Sequence, residues 1–131
     1  MLFHPSPYLR QGLLSNATTN VGLSLFMMLA AGLLTRQLGL PSPLLLIAGV
    51  AYMSWGLVLG TLALRQSVSR AHVRAVIGFN VAWALASILA VAAMPSATRP
   101  GLALVLAQAG CALMYAALQQ IGLQRSSVQS T

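Results

Sequence analysis

The chain has 131 residues, 58% of them hydrophobic and 5% charged, far from the roughly 45–50% apolar and 25% charged norm of a soluble domain, so water is not its solvent. Its charge is seven Arg with no Lys, Asp or Glu, so no Arg finds an intrachain carboxylate and each must meet water, a backbone carbonyl, a lipid phosphate or a partner. The Arg residues lie between apolar runs and form no basic stripe interleaved with exposed aromatics, which excludes nucleic acid as the partner, and the lone Cys111 excludes an internal disulfide or a paired-thiol redox or zinc centre.

Arg10 ahead of an apolar stretch superficially resembles a signal peptide, but the run continues through Ala30-Ala31-Gly32 into Leu33-Leu34 and three more apolar runs follow, so retention is expected. Asn16-Ala17-Thr18 is formally a glycosylation sequon, at the membrane entrance of a helix. Four stretches, 13–34, 44–64, 73–94 and 102–123, approach the ~20 residues that cross a ~30 Å hydrocarbon layer. The first is the least regular, because Asn16, Thr18, Thr19 and Asn20 leave only 21–34 predominantly apolar. It must carry its Asn residues into the membrane or lie partly at the interface.

Gly39-Leu40-Pro41-Ser42-Pro43 closes the first stretch, residues 65–74 separate the second and third, and Pro95 with Pro100-Gly101 separates the third and fourth. The expected fold is therefore all-α: a single polytopic membrane domain, a four-transmembrane-helix antiparallel bundle with a flexible tail at 124–131. Alternating spans put Arg10, Arg65, Arg70, Arg74 and Arg125 on one face and Arg36 and Arg99 on the other. That bias predicts both termini in the cytoplasm.

An offset of 60 residues pairs Asn20-Val21 with Asn80-Val81, Trp55 with Tyr115 and Arg65 with Arg125. Apolar matches are near chance in so Leu- and Ala-rich a chain. The Asn, aromatic and Arg matches are what two tandem helical hairpins would leave.

Polar residues recur at helical spacing. Asn16, Asn20 and Ser24 form one stripe; Asn80, Trp83 and Ser87 share a face of the third helix; Gln108, Cys111, Tyr115 and Gln119 lie along the fourth. Exposure to lipid would be costly, so these seams are expected inside the bundle or at an oligomer contact. Counting 1.5 Å per residue, Asn20 and Asn80 lie about 10 Å into the membrane with Trp55 and Tyr115 at similar depth. Two readings stand side by side: Asn and Gln as interhelical hydrogen-bonding glue, or a neutral polar pocket of Asn16, Asn20, Trp55, Asn80, Trp83 and Tyr115 for a lipid head, a quinone-like ring or another amphipathic molecule.

No acid is present to exchange protons or cations within the membrane, which disfavours an ion-coupled exporter. His4 and His72 lie in the lead and the middle loop without ligand spacing, so no metal site or cofactor is expected and an enzyme is disfavoured. Gly56 and Gly60 form a GxxxG, and Gly78, Ala82, Ala86 and Ala90 form a small-residue ladder; both are candidate helix-packing surfaces, within the chain or between copies. Arg65, Arg70 and Arg74 are expected on anionic lipid headgroups.

Leu38-Gly39-Leu40-Pro41, Arg74-Ala75-Val76-Ile77 with Asn80 and Trp83, and Leu118-Gln119 with Gly122-Leu123 together make the chain resemble the small bacterial four-helix inner-membrane proteins, a group with no assigned activity. The resemblance implies the four-helix fold and the inner membrane and lends no catalytic residue. The leading functional expectation is a non-catalytic accessory subunit or scaffold, in a homo-oligomer or a larger membrane complex. The alternatives are a binder or carrier of an amphipathic molecule and, after it, a membrane enzyme with an external cofactor.

Overall fold

The computed structural model describes residues 2–129. It consists of helices α1 (Pro7–Leu29), α2 (Ala31–Leu38), α3 (Ser42–Leu64), α4 (Arg70–Ala92) and α5 (Arg99–Gln129), with two short strands, β1 (Leu2–Phe3) and β2 (Val68–Ser69). The strands pair antiparallel, Leu2 opposite Ser69 and Phe3 opposite Val68, and tie the N-terminal lead to the middle loop.

Local chemistry sets the helix ends. The Ser6 hydroxyl accepts the Leu9 N–H at 3.1 Å, and Pro7 occupies the first turn of α1, where no backbone donor is needed. Ser69 caps α4 in the same way, accepting the His72 N–H at 3.1 Å. Gly39 ends α2 with φ 67, and a Cβ there would lie 2.0 Å from the Ser96 carbonyl oxygen, so both backbone conformation and space require glycine.

The first apolar stretch is not one straight helix. α1 begins at Pro7 rather than at 13 and stops at Leu29, and α2 departs from it at 87°. No proline or left-handed residue marks the break, where Ala30 has φ −105 and ψ 14. Packing accounts for the turn: Ala31, Leu34 and Leu38, spaced along one face of α2, are buried with Leu40 and Leu45, while Gly32, Leu33, Arg36 and Gln37 stay exposed. α3, α4 and α5 are each long and apolar enough to cross a membrane, and α1 with α2 makes a fourth if the bent pair is one span. At the other end α5 stays helical through Gln129, into the expected tail, and Ser126 is fully buried, its hydroxyl donating to the Gly122 carbonyl and accepting the Ser6 N–H. Residues 130 and 131 of the expected tail lie outside the described residues.

α1 packs along α3 and α4 along α5, giving two hairpins that α1 and α5 join; the backbones of α3 and α4 hardly approach one another. Gly56 is a true packing position: a Cβ would meet Val21 Cγ2 at 2.8 Å and the Ala17 carbonyl oxygen at 3.1 Å. Gly60 is looser, at 4.0 Å from Ala17 Cβ. The α4 ladder makes no helix contact of this kind within the chain, since Gly78 and Ala82 are exposed with nothing within 4 Å of a Cβ at Gly78. Helical periodicity cannot say which side of a uniformly apolar helix faces inward.

Two apolar clusters hold the ends. One gathers Phe3, Leu9, Leu13, Leu59, Val68, Val73 and Leu123 where the ribbon, the start of α1 and the end of α5 meet. The other gathers Met27, Leu34, Leu38 and Leu45 around α2, with Met94 and Leu104 packed against it.

Candidate functional site

Between the clusters lies a cavity of about 220 Å³, walled by α1, α3, α4 and α5. Asn16, Asn20, Trp55, Asn80, Trp83 and Tyr115 all line it, together with Thr19, Tyr52, Phe79, Gln108 and Cys111. Thr19, Ala107 and Cys111 are exposed and stand at its rim on the α1 and α5 side. A second cavity of about 250 Å³ lies next to it, lined by Met27, Leu40, Leu44, Leu45, Ala86, Ala90, Val91, Met94 and Leu104. Leu23, Tyr52, Trp83 and Gln108 line both, so the two chambers share a wall.

The polar stripe of α1 faces inward as its spacing requires. Asn16, Asn20 and Ser24 are buried; the Asn20 amide nitrogen donates to both the backbone carbonyl and the side-chain oxygen of Asn16, each at 2.7 Å, and the Ser24 hydroxyl donates to the Gly49 carbonyl of α3. On the other hairpin, the Asn80 amide nitrogen donates to Gln119 Oε1 at 3.0 Å. Interhelical glue is thus part of what these residues do.

The shared wall is a three-membered network. Trp83 Nε1 donates to the Tyr52 hydroxyl at 2.9 Å and to Gln108 Oε1 at 3.1 Å, and the Tyr52 hydroxyl donates to the same Gln108 oxygen. Gln108 Nε2 donates back to the Val105 carbonyl at 3.1 Å. Rings fill the space between α3 and α4: Trp55 against Phe79 with centroids 4.0 Å apart, Phe79 stacked on Trp83 at 6.1 Å, and Tyr52 edge-on to Trp83 at 5.2 Å. Tyr115 instead reaches across to α1, its hydroxyl 2.7 Å from Thr19 Oγ1 and donating to the Ser15 carbonyl at 3.3 Å.

Tyr52 and Phe79 are the aromatic wall residues that reading the sequence overlooks. Each was signalled: Tyr52 stands three residues before Trp55 and Phe79 four before Trp83, the spacing that puts two rings on one helix face.

Two enclosed polar atoms of the cavity wall lack any partner, Asn16 Nδ2 and Trp55 Nε1. A buried donor left unpaired costs about 1–3 kcal/mol. Arg10 Nε, Thr35 Oγ1 and Gln119 Nε2, whose residues do not line the cavity, are buried without a partner as well.

At the ribbon end, Arg65 and Arg74 are exposed and Arg70 is half-buried. Arg10 Nη2 donates to the Arg65 carbonyl at 3.2 Å, and the Arg125 guanidinium lies 4.3 Å over the Tyr8 ring. The histidines are engaged separately: His4 Nδ1 donates to the Gln66 carbonyl at 2.9 Å, and His72 Nδ1 shares a hydrogen bond of 2.6 Å with Ser69 Oγ. Among the described residues, no three His, Cys, Asp or Glu side chains come together. No family model, curated protein or solved structure matches the chain.

Proposed function

We propose that this is a small integral membrane protein that binds or carries one amphipathic molecule in its intrabundle cavity. What carries the reading is the convergence of six polar or aromatic residues from four helices on one cavity, beside an apolar chamber of similar size. Packing alone accounts for the Asn20–Asn16 and Asn80–Gln119 bonds but not for a space between them. In the bilayer the termini and the middle loop face the cytoplasm of a bacterial inner membrane, with Arg65, Arg70 and Arg74 against anionic headgroups.

The test is native mass spectrometry of protein extracted in mild detergent. One small amphiphile per chain, lost in the Asn20→Leu/Asn80→Leu double variant while fold and assembly persist, is the expected result. A stoichiometric protein partner with an empty cavity would overturn it in favour of a scaffold or accessory subunit. That second reading rests on the exposed Gly78 and Ala82 of α4, a surface free for another helix. A visible absorption band would instead point to a cofactor-dependent enzyme.

A further inference from the structure

Aromatic side chains are few in this chain and unevenly placed. Both Trp, two of the three Tyr and one of the three Phe line the first cavity, whereas the second chamber has only Tyr52 and Trp83 of the shared wall. Trp55, Phe79 and Trp83 form one continuous row of rings. A ring attracts another ring through its face or its edge, so such a wall favours a flat aromatic guest over a saturated one of equal size. No Arg or His lines the cavity and the chain has no acid, so a charge of either sign would be buried there without an opposite partner.

The reachable polar atoms stand at the mouth. Thr19 is exposed there, and its Oγ1 lies 2.7 Å from the Tyr115 hydroxyl. The single Tyr115 proton is committed to the Ser15 carbonyl, so the Thr19 hydroxyl donates to Tyr115 and its oxygen keeps its own acceptor sites open. A hydroxyl arriving at the mouth would lengthen a chain of bonds already in place, from Thr19 through Tyr115 to Ser15. Rings and hydroxyls border the same cavity of about 220 Å³. We infer that the ligand is an uncharged aromatic alcohol whose ring lies against Trp55, Phe79 and Trp83 and whose hydroxyl donates to Thr19 Oγ1 between α1 and α5. This rests on the amphiphile-binding reading and gives that ligand a chemical class.

The experiment is equilibrium dialysis of the full chain in detergent against naphthol, its saturated counterpart decalinol, and naphthalene, each corrected for uptake by protein-free micelles. Naphthol is expected to bind about two- to tenfold more tightly than either of the others, because decalinol lacks the aromatic ring and naphthalene lacks the hydroxyl. Phe79→Leu should weaken naphthol and naphthalene and leave decalinol unchanged. Thr19→Val, at an exposed position that the fold tolerates, should weaken naphthol and decalinol and leave naphthalene unchanged. Equal binding of naphthol and decalinol would overturn the ring assignment, and equal binding of naphthol and naphthalene would overturn the hydroxyl; amphiphile binding stands in both cases. It stands too if no probe binds while native mass spectrometry finds a retained molecule, and the aromatic-alcohol class then falls. If no probe binds and nothing is retained, both fall.

Discussion

The two hairpins meet along two seams built in opposite ways. Where α1 meets α5, glycine brings backbones together: a Cβ at Gly122 would sit 2.7 Å from Leu9 Cα and 3.0 Å from its backbone nitrogen. Where α3 faces α4, Tyr52, Trp55, Phe79 and Trp83 occupy the gap and hold the backbones apart. Removing side chains closes a helix pair in a membrane, and inserting rings opens it. The cavity is the difference between the two. Positions related by the 60-residue offset nevertheless meet across both seams: Trp55 against Phe79 in one, Tyr115 against Thr19 in the other. Ring stacking in the first is replaced by a hydroxyl pair in the second.

This contrast is open to direct attack by substitution, with stability followed by denaturant titration in micelles. Gly122→Leu should be the most damaging change, lowering stability by about 3 kcal/mol through overpacking; a near-neutral result would mean that the close seam is not rigid. Phe79→Ala should cost roughly 2 kcal/mol, below the 3–5 kcal/mol typical of a buried Phe, because Phe79 is 41% exposed. It should also reduce retention of the bound amphiphile, whereas unchanged retention would show that the rings do not keep the cavity open. Gly56→Ala, pressed against Val21 Cγ2, should cost about 1 kcal/mol, while Gly60→Ala should stay within about 0.5 kcal/mol. Equal effects at the two glycines would make the GxxxG a single unit rather than one contact and a bystander. Smallest of all, Gly78→Ala on the open outer face should gain up to about 0.8 kcal/mol from helix propensity, and a loss there would reveal a helix contact with another copy.

Much of the architecture was legible because hydrophobic length and Pro/Gly punctuation are local signals. The α3 and α4 bounds follow them closely: Pro41 and Pro43 open α3, and the polar stretch before Arg70 opens α4. The turn at Ala30 was not legible, since nothing in Met28-Leu29-Ala30-Ala31 breaks a helix and the bend comes from packing of Ala31, Leu34 and Leu38. The site was readable to the extent that burial of Asn in a membrane span is itself a signal; Asn16, Asn20 and Asn80 declare an interior face wherever they fall. Aromatic residues carry no such bias in an apolar helix, so Tyr52 and Phe79 are marked only by their spacing to Trp55 and Trp83. The α5 helix beyond Leu123 was hidden for a related reason, because the polar run from Gln124 gives no hint that Ser126 lies buried beside Ser6.

The ribbon of Leu2–Phe3 with Val68–Ser69 also sets an order of events during synthesis. Its second strand emerges more than 60 residues after its first, about 3–13 s at ordinary rates of translation, and before any of α4 or α5 is made. For the further time that residues 70–119 take, the first hairpin stands without the second, and the Asn20 amide relies on Asn16 while Asn80 and Gln119 are still unmade. The bond between asparagines one helical turn apart thus meets part of their hydrogen-bonding need before the second hairpin arrives, and the strands, both made by then, can already hold the lead to the middle loop.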